Sequence, residues 1–402
     1  MWYTIRHMEH RTSYLKKSIL LASAAFILSG CATLPIYTAR TYFDDLYKRI
    51  PYKIEGSYRV IDIFYATDRN VIDAAAASPE FGKNLGDGMT YGRLDVKINP
   101  EVTIGTMLPK KLKRHGVIGV QEVGKLDDEA FINQLSEAVA ASPHRSLMVM
   151  VFGYKDNFEA TAIKTAYFTY LLDVNTPVLL FDWPGDQPVD IDGYLKARDY
   201  AVKSGPRLGK LLNDIIEKVK PEKLWVNASS LGCQVVCDAF DYLYKNPGHA
   251  DPEEEIDHVV FAAPDVGQEE FDEQFKKELE ALSRKLTTYV SSNDDALLMS
   301  AFITGDRRLG RQRPPKLKEH EQMEEAKDIL YLKSLSPDKI TLIDVTPINK
   351  ASYGHGYYLE SPEFYDDAYM RILDKEPNVN RRLYLLKFKG NTDYWILQGG
   401  NK

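Results

Sequence analysis

The chain has 402 residues, 44% of them hydrophobic, enough to bury a sizeable core in one large domain or two modest ones. A formal net charge of −7 excludes the basic surface that nucleic-acid binding normally uses. The three cysteines, Cys31, Cys233 and Cys237, have no accompanying His or Cys cluster, which argues against a structural zinc, and no feature calls for a cofactor.

The first predicted element is "RTSYLKKSILLASAAFILSGC". Lys16 and Lys17 precede an apolar run from Ile19 to Leu28, and small residues lead to Cys31. That order is a secretory signal, too short for a comfortable transmembrane helix. Its end, Leu28-Ser29-Gly30-Cys31, resembles the lipobox of bacterial lipoproteins. The resemblance implies that Cys31 is lipidated, becomes the new N-terminus and anchors the protein to a membrane of the cell envelope. Ala32 after the cysteine suits the periplasmic face of the outer membrane. The expected organisation is residues 1–31 as signal and lipidation site, 32–55 as linker, 56–375 as one α/β domain, and 376–402 as an appended hairpin.

Within the domain, "YRVIDIFYATD" (Tyr58 to Asp68) alternates as a strand, and "TYGRLDVKI" reads as a second. The Gly/Asp signals of "NLGDGMT" place a turn before that second strand. From Ser146 the pattern becomes strand–helix alternation. "SLMVMVFG" and "PVLLFDWPGD" are continuous apolar strands, as expected when both faces are covered. Between them lies a helix that Asp156 or Asn157 would cap. The next helical run carries Leu208, Leu211, Leu212, Ile215, Ile216 and Val219 at helical spacing, with a kink or division expected at Gly205-Pro206. "EKLWVNA" is a strand followed by the helix "LGCQVVCDAFDYLY", in which Cys233 and Cys237 read as small buried thiols. "IDHVVFAAPDV", "KLTTYVSSNDDAL" and "KITLIDVT" complete the strands, and "RRLYLLKFKGNTDYWILQ" reads as a hairpin around Gly390 and Asn391. The order predicts a mostly parallel sheet with helices on both faces and extra edge strands at either end of the chain.

In such a sheet, reactive groups gather beyond the carboxyl ends of the strands. There the sequence delivers Gly153 and Tyr154, Asp182 and Trp183, Ser229 and Ser230, Asp265, and Asp294. A serine needs a base, usually a histidine oriented by a carboxylate, and on α/β-hydrolase sheets the chain order is Ser, Asp or Glu, His. Of eight histidines, only His355 in "SYGHGYY" follows the last central strand in a glycine-flanked loop. The expected constellation is therefore Ser230, Asp294 and His355. Asp265 in "AAPDV" is the rival acid, its bland alternative being a helix cap. The backbone N–H of Leu231 and one from the Gly153–Tyr154 turn would receive an oxyanion. Asp68 and Arg69 read as a structural polar contact near the site. Trp183 reads as packing or as part of an acyl pocket, and residues 311–335 as a solvated excursion or a lid.

Residues from about Tyr58 to Ile372 resemble a bacterial α/β-hydrolase family of unknown function related to esterases and lipases. The matching pieces are "FYATDRN", "YGRLDVKI", "VFGYKDNFEAT", "LLFDWPG", "ASSLGCQ", "VVFAAPDVG", "YVSSNDDAL" and "GHGYY". The resemblance implies an α/β-hydrolase fold with Ser230 as nucleophile, Asp294 as acid and His355 as base, acting without a metal on an ester-containing small molecule or lipid. Three positions depart from the family pattern. Ser229 and Phe152 stand where histidines are usual, and Ala228 replaces the first glycine of the G-x-S-x-G elbow. Against the hydrolase stands a catalytically silent scaffold of the same fold, and an amidase or peptidase would share the triad. No protein partner is legible.

Overall fold

The structure, a computed structural model, describes residues 53–73, 78–100, 102, 113–246, 256–311, 339–374, 383–387 and 393–397. The signal segment with Cys31, the linker up to residue 52, all but the first residue of the 311–335 excursion and the turn at Gly390-Asn391 lie outside the described residues. Among the described residues no helix is long and apolar enough to cross a membrane.

The strands are β1 (Lys53–Glu55), β2 (Tyr58–Asp73), β3 (Glu80–Ile98), β4 (Ile118–Leu126), β5 (Ser146–Val151), β6 (Val178–Asp182), β7 (Lys223–Ser229), β8 (Ile256–Ala262), β9 (Ser283–Val290), β10 (Ile340–Asp344), β11 (Leu383–Lys387) and β12 (Asp393–Leu397). They form one sheet in the order β4-β3-β2-β6-β5-β7-β8-β9-β10-β12-β11, with β1 also on β2. Neighbours from β2 to β12 pair in parallel, while β3 and β4 at one edge and β11 at the other are antiparallel. This is the mostly parallel sheet expected from the strand–helix alternation and the α/β-hydrolase fold that the resemblance implies, with the expected extra strands at both edges.

Helices α1 (Asp128–Ala141), α3 (Ile191–Asp214) and α4 (Gly232–Lys245) cover one face, together with the helical run α5 (268–282). On the other face lie α2 (Phe158–Leu172), α7 (Tyr357–Glu360) and α8 (Pro362–Ile372). The short α6 (Asp295–Thr304) follows β9. Because side chains alternate along a strand, β5 sends Leu147, Val149 and Val151 into the first core and Met148 and Met150 into the second. Cys233 and Cys237 are free, fully buried thiols in the first core.

Three expectations are corrected. "NLGDGMT" is no turn, because β3 passes through it from Glu80, with Leu85 paired to Arg69 and Thr90 to Thr67 of β2 and an irregular bulge between them. Gly86 serves close approach there, since a Cβ would lie 2.8 Å from the Arg69 carbonyl oxygen. Nor do Gly205 and Pro206 divide α3, which is continuous through them. Gly205 instead lets α3 press on α4, for a Cβ would fall 2.2 Å from Asp238 Cβ. Finally, β4 and α1 were not foreseen. Asp127 caps α1 by accepting from Ala130 N–H, a start signal legible in "LDDEAF".

Candidate active site

Connections from β5 run to β6 on one side, and the chain then crosses back to β7 on the other. The carboxyl ends of β5 and β7 thus flank a topological switch point, where open α/β sheets bind ligands. Gly153 leaves one of these ends and Ser230 the other.

Ser230 sits between β7 and α4 with φ +54°, the left-handed region that a residue with a Cβ occupies at a cost. Backbone bonds hold the turn. Ser230 N–H donates to the Ala262 carbonyl, and the Ser230 carbonyl accepts from Asp265 N–H and Cys233 N–H. Gly232 is required beneath it, as a Cβ would meet the Val151 and Phe152 carbonyl oxygens at 2.6 and 2.7 Å. The serine that resembles an elbow nucleophile in sequence therefore has the strained backbone of one.

His355 stands 2.8 Å from Ser230 Oγ through Nε2 and 2.8 Å from Asp294 Oδ2 through Nδ1. Asp294 is fully buried, whereas the His355 side chain keeps 23% of its surface exposed. Asp294 Oδ1 also accepts from Leu297 N–H, so the same carboxylate caps α6 and orients the imidazole. Burial pulls the His355 pKa down, but the Asp294 charge and hydrogen bond outweigh it and leave the ring above its ordinary value. The loop carrying His355 is pinned to the acid loop by Asn349, whose Nδ2 reaches Ser291 Oγ, Asn293 Oδ1 and the Gly354 carbonyl. At Gly354, φ is +63° and a Cβ would lie 2.0 Å from the Asn293 carbonyl oxygen. Nothing in the local pattern points to Asn349; only the glycine pair around His355 hints at a tight turn.

Gly153 lies directly over the serine. A Cβ there would come within 2.6 Å of Ser230 Cβ, 2.9 Å of its Oγ and 3.0 Å of Leu231 N. Helix α4 starts without a side-chain cap at Leu231, and the Leu231 nitrogen borders the same space. Preorganised backbone donors beside a nucleophile suit developing negative charge.

Asp265, the rival acid, does not face His355 by a hydrogen bond, and it is not a helix cap. Its carboxylate accepts from Arg308 Nε at 2.8 Å, from Tyr194 Oη at 2.9 Å and from Ser300 Oγ at 2.5 Å, all buried. A buried guanidinium needs such a counter-charge. The strap that carries Arg308 also ties the site together: Leu309 N–H donates to Val266, Gly310 N–H to Pro264, and Arg311 Nε to the Asp294 carbonyl. Asp68 and Arg69 are structural as expected. Arg69 is buried between Asp182 and Asp186 and donates to the Trp183 carbonyl, and Asp68 lies 3.7 Å from Arg207. Trp183 is packing, its Nε1 donating to the Phe152 carbonyl.

Phe152 and Ser229 line an apolar cavity of about 20 Å³ with Phe168, Asn227, Tyr358 and Phe364. The Ser229 side chain lies buried beside the Tyr358 hydroxyl. Lys164, paired with Asp156, sits 5.8 Å over the Phe152 ring.

Residues 127–374, which include Ser230, Asp294 and His355, match the family described as alpha/beta hydrolase of unknown function (DUF900). The chain belongs to that family. No curated protein matches the sequence of this α/β hydrolase. Among solved structures it is similar to LpqC, a poly(3-hydroxybutyrate) depolymerase from Bordetella parapertussis, at 13% identity and a TM-score of 0.33, over 71% of this chain and 84% of that one. It is also similar to an uncharacterised protein from Capnocytophaga ochracea, at 10% identity and a TM-score of 0.28, over 70% of this chain and 59% of that one.

Proposed function

We propose that this α/β hydrolase is a serine esterase acting through an acyl-enzyme and held at the bacterial cell envelope by a lipid on Cys31. The observation that carries the reading is one line of contacts: Ser230 Oγ, His355 and Asp294 joined by two 2.8 Å hydrogen bonds, with the serine at φ +54°. In this reading, Ser230 Oγ attacks the ester carbonyl carbon as His355 Nε2 takes its proton, while Asp294 holds the imidazolium. Leu231 N–H and an N–H of the Gly153–Tyr154 turn receive the oxyanion. The intermediate collapses, the alcohol leaves with the proton from His355, and Ser230 keeps the acyl group. Water then attacks the acyl carbon, giving its proton to His355, and the acid departs as Ser230 recovers its hydrogen.

Labelling by a fluorophosphonate probe tests the chemistry. The full chain should be labelled, and Ser230→Ala and His355→Ala should not. An unlabelled, folded wild-type chain would leave a binding protein of hydrolase fold. Turnover of matched ester and amide substrates separates esterase from amidase. Metabolic incorporation of palmitate, lost in Cys31→Ser, tests the anchor.

A further inference from the structure

Helix α6 breaks the usual rule for a surface helix. Its sequence, "DALLMSAFIT", is apolar on every side, yet only Leu297 and Ser300 are buried. A helix apolar all round is normally enclosed. Here Met299 is 59% exposed and Phe302 74%. The start of α3 is similar, with Val189, Ile191 and Leu195 standing in solvent, and so is Tyr353, two residues before His355.

These residues belong to neighbouring elements. Tyr194 of α3 meets Ser300 of α6 at 2.5 Å, and the His355 loop packs its Gly354 on Asn293 and Asp294 at the start of α6. The acid that orients His355 is itself the cap of α6. The exposed apolar residues thus sit on elements that carry or adjoin Asp294 and His355, a rim on the side of the candidate triad, and exposed apolar surface gathered in this way marks an interaction site. Exposed charges along it are of both signs, Asp190, Asp192 and Asp295 against Lys196 and Lys350.

We propose that this rim docks on a lipid surface, so that esters held in a bilayer pass to Ser230 without crossing water. The inference rests on the esterase reading and on the anchor at Cys31. Two further observations select a bilayer as the occupant. Because β1 is antiparallel to β2, Lys53 is the end of β1 nearer the carboxyl ends of the parallel strands, the edge that carries Ser230. Lys53 pairs with Val60, and the catalytic edge lies near Thr67, so roughly 23 Å of strand separates the tether's entry from that edge. The 22 residues from Cys31 to Lys53 span at most ~75 Å. The tether therefore has length to spare for laying the rim on the membrane that holds the anchor. With no excess of basic charge to draw an anionic surface, the attraction is apolar and should survive high salt.

The test uses the full chain as Cys31→Ser, which carries no acyl group, with and without Phe302→Trp. Vesicles of phosphatidylcholine brominated on the acyl chains quench a tryptophan that enters the bilayer. The chain's own tryptophans and its N-terminal apolar run are common to both proteins and set the background. The expected result is a blue shift and quenching of Trp emission beyond that background, unchanged in high salt and diminished by adding Ile191→Ser and Met299→Ser. Quenching no greater than background would overturn the proposal. So would an emission from position 302 already blue-shifted before vesicles are added, which would mean cover by the rest of the chain or by a second copy. No catalysis enters this readout. Failure to quench with intact fluorophosphonate labelling would sink the docking surface alone, and quenching without labelling would sink the esterase alone.

Discussion

Gly153→Ala puts the smallest possible probe where the reaction is proposed to occur. The added Cβ would lie 2.6 Å from Ser230 Cβ, and ordinary contact begins at 3.4 Å, so the two must separate by roughly 0.8 Å. Ser230 has little freedom to retreat, because its carbonyl and N–H are bonded to Asp265, Cys233 and Ala262. The same methyl would stand 3.0 Å from Leu231 N, in the space that an oxyanion would need. A misplacement near 1 Å can cost about 10²-fold in rate, and loss of one oxyanion donor about 10²–10³-fold, or 2.7–4 kcal/mol. We therefore expect kcat/KM on a soluble ester, and the rate of fluorophosphonate labelling, to fall by about 10²-fold or more. Overpacking should cost about 1–3 kcal/mol of stability, measured by urea unfolding, which leaves the chain folded at room temperature. Wild-type labelling rates in folded Gly153→Ala would refute both the oxyanion assignment and the crowding on which it rests.

Asp294→Asn should lower kcat/KM by about 10⁴-fold and move the acid limb of its pH profile downward, since the carboxylate is what holds His355 above its ordinary value. Asp265 raises the same ring and Lys164 lowers it, and both remain in the variant. For stability the sign is that of a raised histidine: the pair stabilises the fold below the unfolded value near 6.5 and loses that effect as pH rises through the folded value. Denaturant titration should therefore find Asp294→Asn most costly on the acid side. Asp265→Ala should destabilise by about 3–5 kcal/mol in urea unfolding by stranding Arg308 in the interior, whereas removing both charges should cost much less than the two single changes together. Ser229→Ala should keep full fluorophosphonate labelling and alter stability by no more than about 1 kcal/mol, because it is Ser230, not its neighbour, that His355 faces.

Much of the fold was legible because β5 and β6 are short continuous apolar runs, as expected of strands covered on both faces, and helical patterns alternate with the strands that follow. The candidate triad was legible through strand order, with Ser230 and Asp294 soon after strand ends and His355 in the loop that follows the last central strand. What escaped the reading was set by pairing rather than by local pattern. Gly86 and Gly88 look like a turn, yet they form a bulge in β3, whose pairing to β2 resumes on both sides at Leu85 and Thr90. Gly205 and Pro206 look like a helix break, but the close approach of α4 uses the glycine and the helix absorbs the proline. Asp265 and Asp294 are both strand-end aspartates. Only the arrival of Arg308, 43 residues further along, gives the first a counter-charge of its own.

The family departures weigh on chemistry only if they touch the reacting atoms. Phe152 and Ser229 turn into a cavity of about 20 Å³, enough for roughly one water, on the side of the sheet covered by α2, α7 and α8. Ser230, Leu231 and Gly153, grouped around the Ser230 hydroxyl, do not line that cavity. Ala228 lines the same cavity and leaves the Ser230 dihedral in the left-handed region. A serine at φ +54° under a crowding glycine is the arrangement that the proposed acyl transfer needs, and the buried Asn349 clamp ties the His355 loop to the loop of Asp294. The substitutions therefore bear on what lies beneath the nucleophile, its polarity and packing, and leave the proposed acyl transfer its full set of groups.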